Sequence, residues 1–257
     1  MKAESGIKQY FFVIRELTAR EIKRKYARSY LGILWSVLNP LLSMAVMSMI
    51  FSTIFKRNIE NFPIYYLTGS IFWSLFTGAT NAAMTSLVDN KSMLVKSKLP
   101  MGIFPLSRCF TALTNFGYSL VAYVVMLLIF RIPFSPCMFM IIPYAAALFL
   151  FSLGVGYLLS VLYTMFGDIK HLYTILLTLL MYASALFYPV ESTSEQMQKV
   201  IENNPVYNYI ACARKCVLEA AMPDANQWAR LFVWSMGAFL LGKWCFGRMR
   251  NKVLQKV

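Results

Sequence analysis

Long apolar runs alternate with short basic segments along this chain, and six runs approach the roughly 20 residues that a helix needs to cross hydrocarbon. They lie at 33–55, 64–88, 106–130, 139–166, 172–189 and 228–246. The last carries Arg230 and Lys243 near its ends, where long basic stems reach the interface. The polar segments between the runs have their own patterns. Over residues 1–30, Ile7, Phe11, Ile14, Thr18 and Ile22 recur at helical spacing, while Lys8, Arg15, Arg20, Lys23 and Arg24 take the other faces. This predicts an amphipathic helix lying in the membrane interface, and a simple lipid anchor fits the same pattern. The loop DNKSMLVKSKLP, 89–100, sets Met93, Leu94 and Val95 between Lys91, Lys96 and Lys98, and Pro100 disfavours helix at Leu99. A short helix with exposed apolar residues suits a partner groove, and an interfacial turn suits the pattern equally. Residues 188–227 offer Ser192 and Glu195 as a capping box, a break at Asn203, Asn204 and Pro205, and a second helix over about 206–221. Neither piece spans a bilayer, which leaves a re-entrant or interfacial pair, or a decorative loop.

Composition supports the membrane class. The chain has 257 residues, 58% hydrophobic, and only 14% of them are charged, against about 25% in ordinary chains. The expected fold is all-α and integral to the membrane. It has six transmembrane helices, an N-terminal interfacial helix and two short extracellular helices before the last span, in one domain over 1–257. With six spans both termini share a side. That side collects eighteen of the twenty-five basic residues, including eight up to Arg28, Lys91, Lys96, Lys98, Arg108, Lys170 and the C-terminal cluster, so both termini are expected in the cytoplasm. The net charge of +14 follows this bias and reads as topology and anionic lipid contact. The basic residues form no continuous face, so no nucleic-acid partner is expected. The five cysteines read as small packing residues. The basic, polar N-terminus does not resemble a cleavable signal peptide, and the first span serves as its own insertion signal.

The remaining chemistry is mostly excluded. GAFLLGKW, 237–244, is one residue short of a P-loop, but Trp244 stands where Mg²⁺ needs a hydroxyl, and the stretch sits inside the apolar run MGAFLLGKWCFG. Gly237 and Gly242 read instead as sites of close helix packing. Ion-coupled carriers place ionisable residues within the bilayer, and none occurs at 33–55, 64–88 or 110–130. Asp168, Lys170 and His171 fall at a predicted cytoplasmic turn and read as a solvated helix cap or, alternatively, a proton relay. Six of the eleven acidic residues, Glu60, Glu191, Glu195, Glu202, Glu219 and Asp224, scatter outside without pairing for catalysis.

Three stretches resemble one family in order and spacing: LTAREIKRKYARSYLGILWSVLNPLL (17–42), NKSMLVKSKLPMGIFPL (90–106), and FGDIKHLYTILLTLLMYASALFYPV (166–190) followed by NNPVYNYI. The chain is similar to the transmembrane permease subunits of type-2 ABC exporters for polysaccharide, O-antigen and teichoic acid. The resemblance implies a cytoplasmic gate helix with Arg20, Glu21, Lys23, Arg24 and Tyr26. It implies a coupling helix with Asn90, Lys91, Met93, Leu94, Val95, Lys96 and Pro100, docked on an ATPase, and outer gate helices over 190–227. Two copies of the chain would pair with two P-loop ATPase subunits that hold ATP and Mg²⁺, with no cofactor bound here, in a bacterial cytoplasmic membrane. The substrate implied is a lipid-linked glycan, with export of a small hydrophobic molecule or peptide, or an ATP-independent channel, as the alternatives. Aromatic faces pack on sugar C–H surfaces, so Tyr65, Tyr66, Trp73, Phe76, Tyr182, Phe187 and Tyr188 are candidates for its path, with Pro189, Asn204 and Pro205 at the outer gate. Two departures stand out. Gly167 replaces an arginine common before the aspartate of the fourth-to-fifth turn, and Ala185-Leu186 replaces Ser-Pro, which puts the local helix break in doubt.

Overall fold

A computed structural model describes residues 2–54, 59, 61–96 and 99–256, and their side chains except those of 2–7 and 52–54. Phe55 at the end of the first run, Glu60, Ser97, Lys98 and the Ile7 side chain lie outside the described residues. The described chain is helical and contains no strand. Helix α1 spans Lys2–Tyr26, α2 Trp35–Ile54, α3 Phe62–Asp89, α4 Lys91–Lys96, α5 Ile103–Ile129, α6 Ile141–Met165, α7 Ile169–Tyr182, α8 Glu195–Asn203, α9 Pro205–Leu218 and α10 Ala225–Lys256. Short 3₁₀ turns at Gly32–Leu34 and Pro136–Met140 lead into α2 and α6.

Among the described residues, three segments are long and apolar enough to cross a membrane: Gly32–Phe51, Ile103–Ile129 and Pro136–Met165. Helix α3 has 28 residues, and its hydroxyl, amide and glycine positions dilute its apolarity. The fifth apolar run is helical for less than its expected length. Helix α7 stops at Tyr182 rather than near 189, and its 14 residues reach only about 21 Å. Three residues beyond that end, Ala185 takes a left-handed backbone, φ 46°. Helix α10, by contrast, runs well past 246, since its basic tail continues the helix beyond the apolar stretch.

The core forms where α3, α5, α6, α9 and α10 meet, with Phe72, Tyr123, Tyr144, Leu148 and Tyr209 fully buried. Polar side chains join helices inside it. The Thr68 and Tyr123 hydroxyls lie 2.6 Å apart, and Tyr173 donates to Thr80 Oγ1 at 2.6 Å. The α6–α10 crossing is close because a β-carbon on Gly242 would fall 2.0 Å from the Gly154 carbonyl oxygen. Gly237 has open space instead, so the packing role expected of it belongs to Gly242 and Gly154. A second apolar cluster joins Leu17 of α1 to Leu87, Leu94, Met101, Ile103, Phe104, Val161 and Val253.

The expected capping box is not formed. Residues Val190–Ser192 make a 3₁₀ turn and α8 begins at Glu195 with Ser194 as its cap residue, so Ser192 lies too early to cap it. The following break is as expected: α8 ends at Asn203, and Asn204 caps α9 by accepting from the Val206 N–H at 3.0 Å.

Candidate functional site

A cavity of about 800 Å³ lies among α1, α2, α3 and α5, bounded at one end by Leu186 and Phe187. Its polar walls are neutral: Ser36, Asn39 and Ser43 of α2, Ser70 and Ser74 of α3, and Thr111, Asn115 and Ser119 of α5. Trp35, Tyr66, Trp73, Phe116 and Phe187 add aromatic faces. Charged side chains line it at the α1 end alone, Glu21, Arg24 and Lys25 among them. Tyr26 ties α1 to this wall, its hydroxyl meeting Ser36 Oγ and donating to Asn115 Oδ1 at 3.2 Å.

The α1 end is held by a compact polar network. Arg108 of α5 is buried and forks, donating through Nη1 to Glu21 Oε2 and through Nη2 to Asp89 Oδ2 at 3.1 Å. Arg20 donates to Asn90 Oδ1 at 2.9 Å, and Asn90 donates back to the Ser86 carbonyl at 2.8 Å. The Asn90 carbonyl in turn accepts from the N–H groups of Met93 and Leu94, starting α4. Glu21 is 7% exposed and its second oxygen has no hydrogen bond, with Arg20 Nη2 3.8 Å away.

At the other end Phe51, Phe62, Tyr66 and Phe187 stack, with ring centroids 5.8–6.4 Å apart. Behind them Arg214 of α9 is buried with carbonyls rather than carboxylates as acceptors. It donates to Tyr65 O at 3.2 Å, Ala185 O at 2.9 Å and Leu186 O at 3.4 Å, and its guanidinium lies 3.5 Å from the Tyr65 ring centroid. Burial pushes the guanidinium below the usual arginine range, and Tyr65 and Tyr207 oppose that shift. A β-carbon on Gly69 would approach Arg214 Nη2 to 2.7 Å, so the glycine makes room for the cation. Asn204 donates to Ala183 O at 3.0 Å and Ser184 Oγ at 2.9 Å, fastening α9 to the end of α7.

The predicted residues therefore divide. Glu21, Arg24, Tyr26, Tyr66, Trp73 and Phe187 share the cavity wall. Phe76 does not, because it is buried against Phe151, ring centroids 5.7 Å apart. Tyr65 turns to the linker after α7, donating to Tyr188 O at 2.9 Å, while Tyr188 donates to the Tyr182 carbonyl and the Tyr182 side chain is exposed. Pro189 is buried in that linker, Pro205 opens α9, and Lys23 is exposed. In α4 and its surroundings, Lys91, Lys96 and Pro100 are exposed, Met93 is half-buried and Asn90 is buried. Leu94 departs from expectation: it faces its own chain at 5% exposure, whereas Val95 is 69% exposed. Leu17 and Glu21 form the buried line of α1, and Phe11 is 66% exposed.

Sequence reasoning missed Arg108, which it counted only as a topology charge, and the Ser and Asn wall positions. Arg214 stood out as a charge among apolar residues, but nothing linked it to Tyr65 or Gly69.

A bundle of apolar helices around a cavity fits a multi-pass membrane protein. Residues 13–218 match the family described as ABC-2 type transporter, and the chain belongs to that family. It is 28% identical over 221 residues to the O-antigen export system permease protein RfbA of Myxococcus xanthus, covering 85% of each chain. A protein of the same name from Klebsiella pneumoniae is 25% identical over 223 residues, 86% of each chain. The polysialic acid transport protein KpsM of Escherichia coli is 22% identical over 245 residues, 93% of this chain and 94% of its own.

Proposed function

We propose that this chain is the permease subunit of an ATP-driven exporter that moves a lipid-linked polysaccharide across the bacterial cytoplasmic membrane. The cavity wall carries the reading: serine, threonine and asparagine offer hydrogen bonds without fixed charge, and Tyr66, Trp73 and Phe187 offer flat faces for sugar C–H surfaces. Away from the charged α1 end the rest of the lining is apolar, Ile71, Leu75, Ala112, Met181 and Leu186 among it, so the wall offers hydrogen bonds and flat apolar surface together. The names of the relatives, for O-antigen export and polysialic acid transport, agree with this chemistry.

In this reading the chain is one domain with six crossings and both termini in the cytoplasm. The segment from α7 through the linker to Pro189 completes the fifth crossing, and α8 and α9 form the re-entrant outer pair. Helix α1, with Arg20, Glu21, Lys23, Arg24 and Tyr26, gates the cytoplasmic mouth. The aromatic stack around Phe187, braced by Tyr65, Tyr188, Arg214 and Asn204, closes the outer end. Helix α4 is the coupling helix and presents Val95, Lys91 and Lys96 to a P-loop ATPase subunit, while Leu94 anchors it to its own chain. ATP and Mg²⁺ belong to that partner, because the GAFLLGKW stretch here is the middle of α10. Two copies of each subunit assemble, and the permeases pair through faces that single chains leave bare. Those faces are the outer side of α2 and the line of Leu172, Ile175, Leu176 and Leu179 on α7.

Replacing Tyr66 and Trp73 together with alanine tests the path. Export of the lipid-linked glycan should fall about ten-fold, as two lost stacking contacts of about 0.5–1.5 kcal/mol each imply, with the ATPase still bound. Unchanged export would remove the aromatic wall from the path.

A further inference from the structure

We propose that Arg108 is the pin through which movement of α4 reaches α1, a positioning role that rests on the exporter reading above. Helix α4 begins two residues after Asp89, so displacing it drags the end of α3. Arg108 holds that end and the middle of α1 at once, since its two terminal nitrogens go to Asp89 Oδ2 and Glu21 Oε2. A parallel link joins Arg20 of α1 to Asn90, the residue between α3 and α4. Thr85 Oγ1 donates to Asp89 Oδ2 at 2.8 Å and holds the carboxylate toward Arg108. The group is electrically balanced, two arginines against Glu21 and Asp89. The apolar contacts beside it, Leu94 and Leu17 within one cluster, press α4 and α1 together but give no direction. The arginine fork does, because a planar guanidinium fixes both carboxylates in one orientation. A push on α4 then turns the Glu21 face of α1, which stands at the mouth of the cavity.

Two substitutions separate this role from simple support. Arg108→Lys keeps the charge but cannot hold both carboxylates in one plane. Arg20→Gln removes the parallel link at a half-exposed side chain, while Glu21 keeps its hydrogen bond to Arg108. Permease and ATPase are purified together, reconstituted in vesicles with lipid-linked glycan inside the accessible leaflet, and scored for glycan moved per ATP hydrolysed. Both variants should keep the ATPase at wild-type stoichiometry and hydrolyse ATP, with glycan moved per ATP lowered about ten-fold. A lower melting temperature with glycan per ATP unchanged would make the network mere support and overturn the inference. A wild-type complex that hydrolyses ATP and moves no glycan would instead overturn the exporter reading, so the two failures are read apart.

Discussion

Gly242 and Gly154 meet so closely that a single methyl group would force α6 and α10 apart. Overpacking of this kind costs about 1–3 kcal/mol. Gly242→Ala should lower the thermal midpoint of the detergent-solubilised protein and reduce its monodisperse yield, whereas Gly237→Ala, with open space at its β-position, should change neither. Arg214 makes a different demand, because it is a buried cation satisfied by backbone carbonyls. Arg214→Met would leave the Tyr65, Ala185 and Leu186 carbonyls without that donor, at about 1–3 kcal/mol for each buried group left unpaired. Hydrogen exchange in residues 183–189 should rise sharply in this variant, and unchanged exchange there would show that other contacts hold the linker. Neither partnership was legible in the sequence. Gly154 and Gly242 are far apart in the chain, and Arg214 and Tyr65 are 149 residues apart, so no periodicity connects them.

Element positions were far easier to read than the faces of the elements. The apolar runs located α2, α3, α5, α6, α7 and α10, because the length and hydropathy of an apolar segment are local properties. The facing of α1 was obscured because its apolar residues spread beyond one narrow stripe. Val13, Leu17 and the charged Glu21 turn inward, while Phe11 and Phe12 remain exposed. Burial of Glu21 follows from Arg108, a residue 87 positions away. Helix α4 shows the same division within three residues, and its two sides make opposite predictions. Val95→Asp places a charge on the exposed face and should abolish binding of the ATPase while the permease alone keeps its thermal midpoint. Leu94→Asp buries the charge in the cluster with Leu17, Leu87 and Phe104, and should destabilise the permease itself by several kcal/mol. Identical behaviour of the two variants in the isolated permease would contradict the assigned facing.

The whole molecule is asymmetric in a way that a single chain does not explain. Its core gathers α3, α5, α6, α9 and α10, yet α2 is exposed along Leu42, Val46 and Ile50, and α7 buries only Tyr173. Lipid covers part of such a surface, and the exporter reading assigns the rest to a second copy placed so that two cavities join. Bulk polarity carried the membrane class, but the serine and asparagine wall of the cavity emerged only when α2, α3 and α5 were set side by side. Serine and asparagine in apolar helices have many uses. The account stands or falls on whether this chain works with an ATPase that it does not contain. The direct measurement is gentle purification of the tagged chain from its native membrane, followed by subunit quantification and ATP hydrolysis with and without lipid-linked glycan. An exporter permease should bring down a P-loop ATPase in equal amount, with hydrolysis that rises when glycan is added. A chain that emerges alone, with no ATP hydrolysis restored by any candidate ATPase, would contradict the exporter reading.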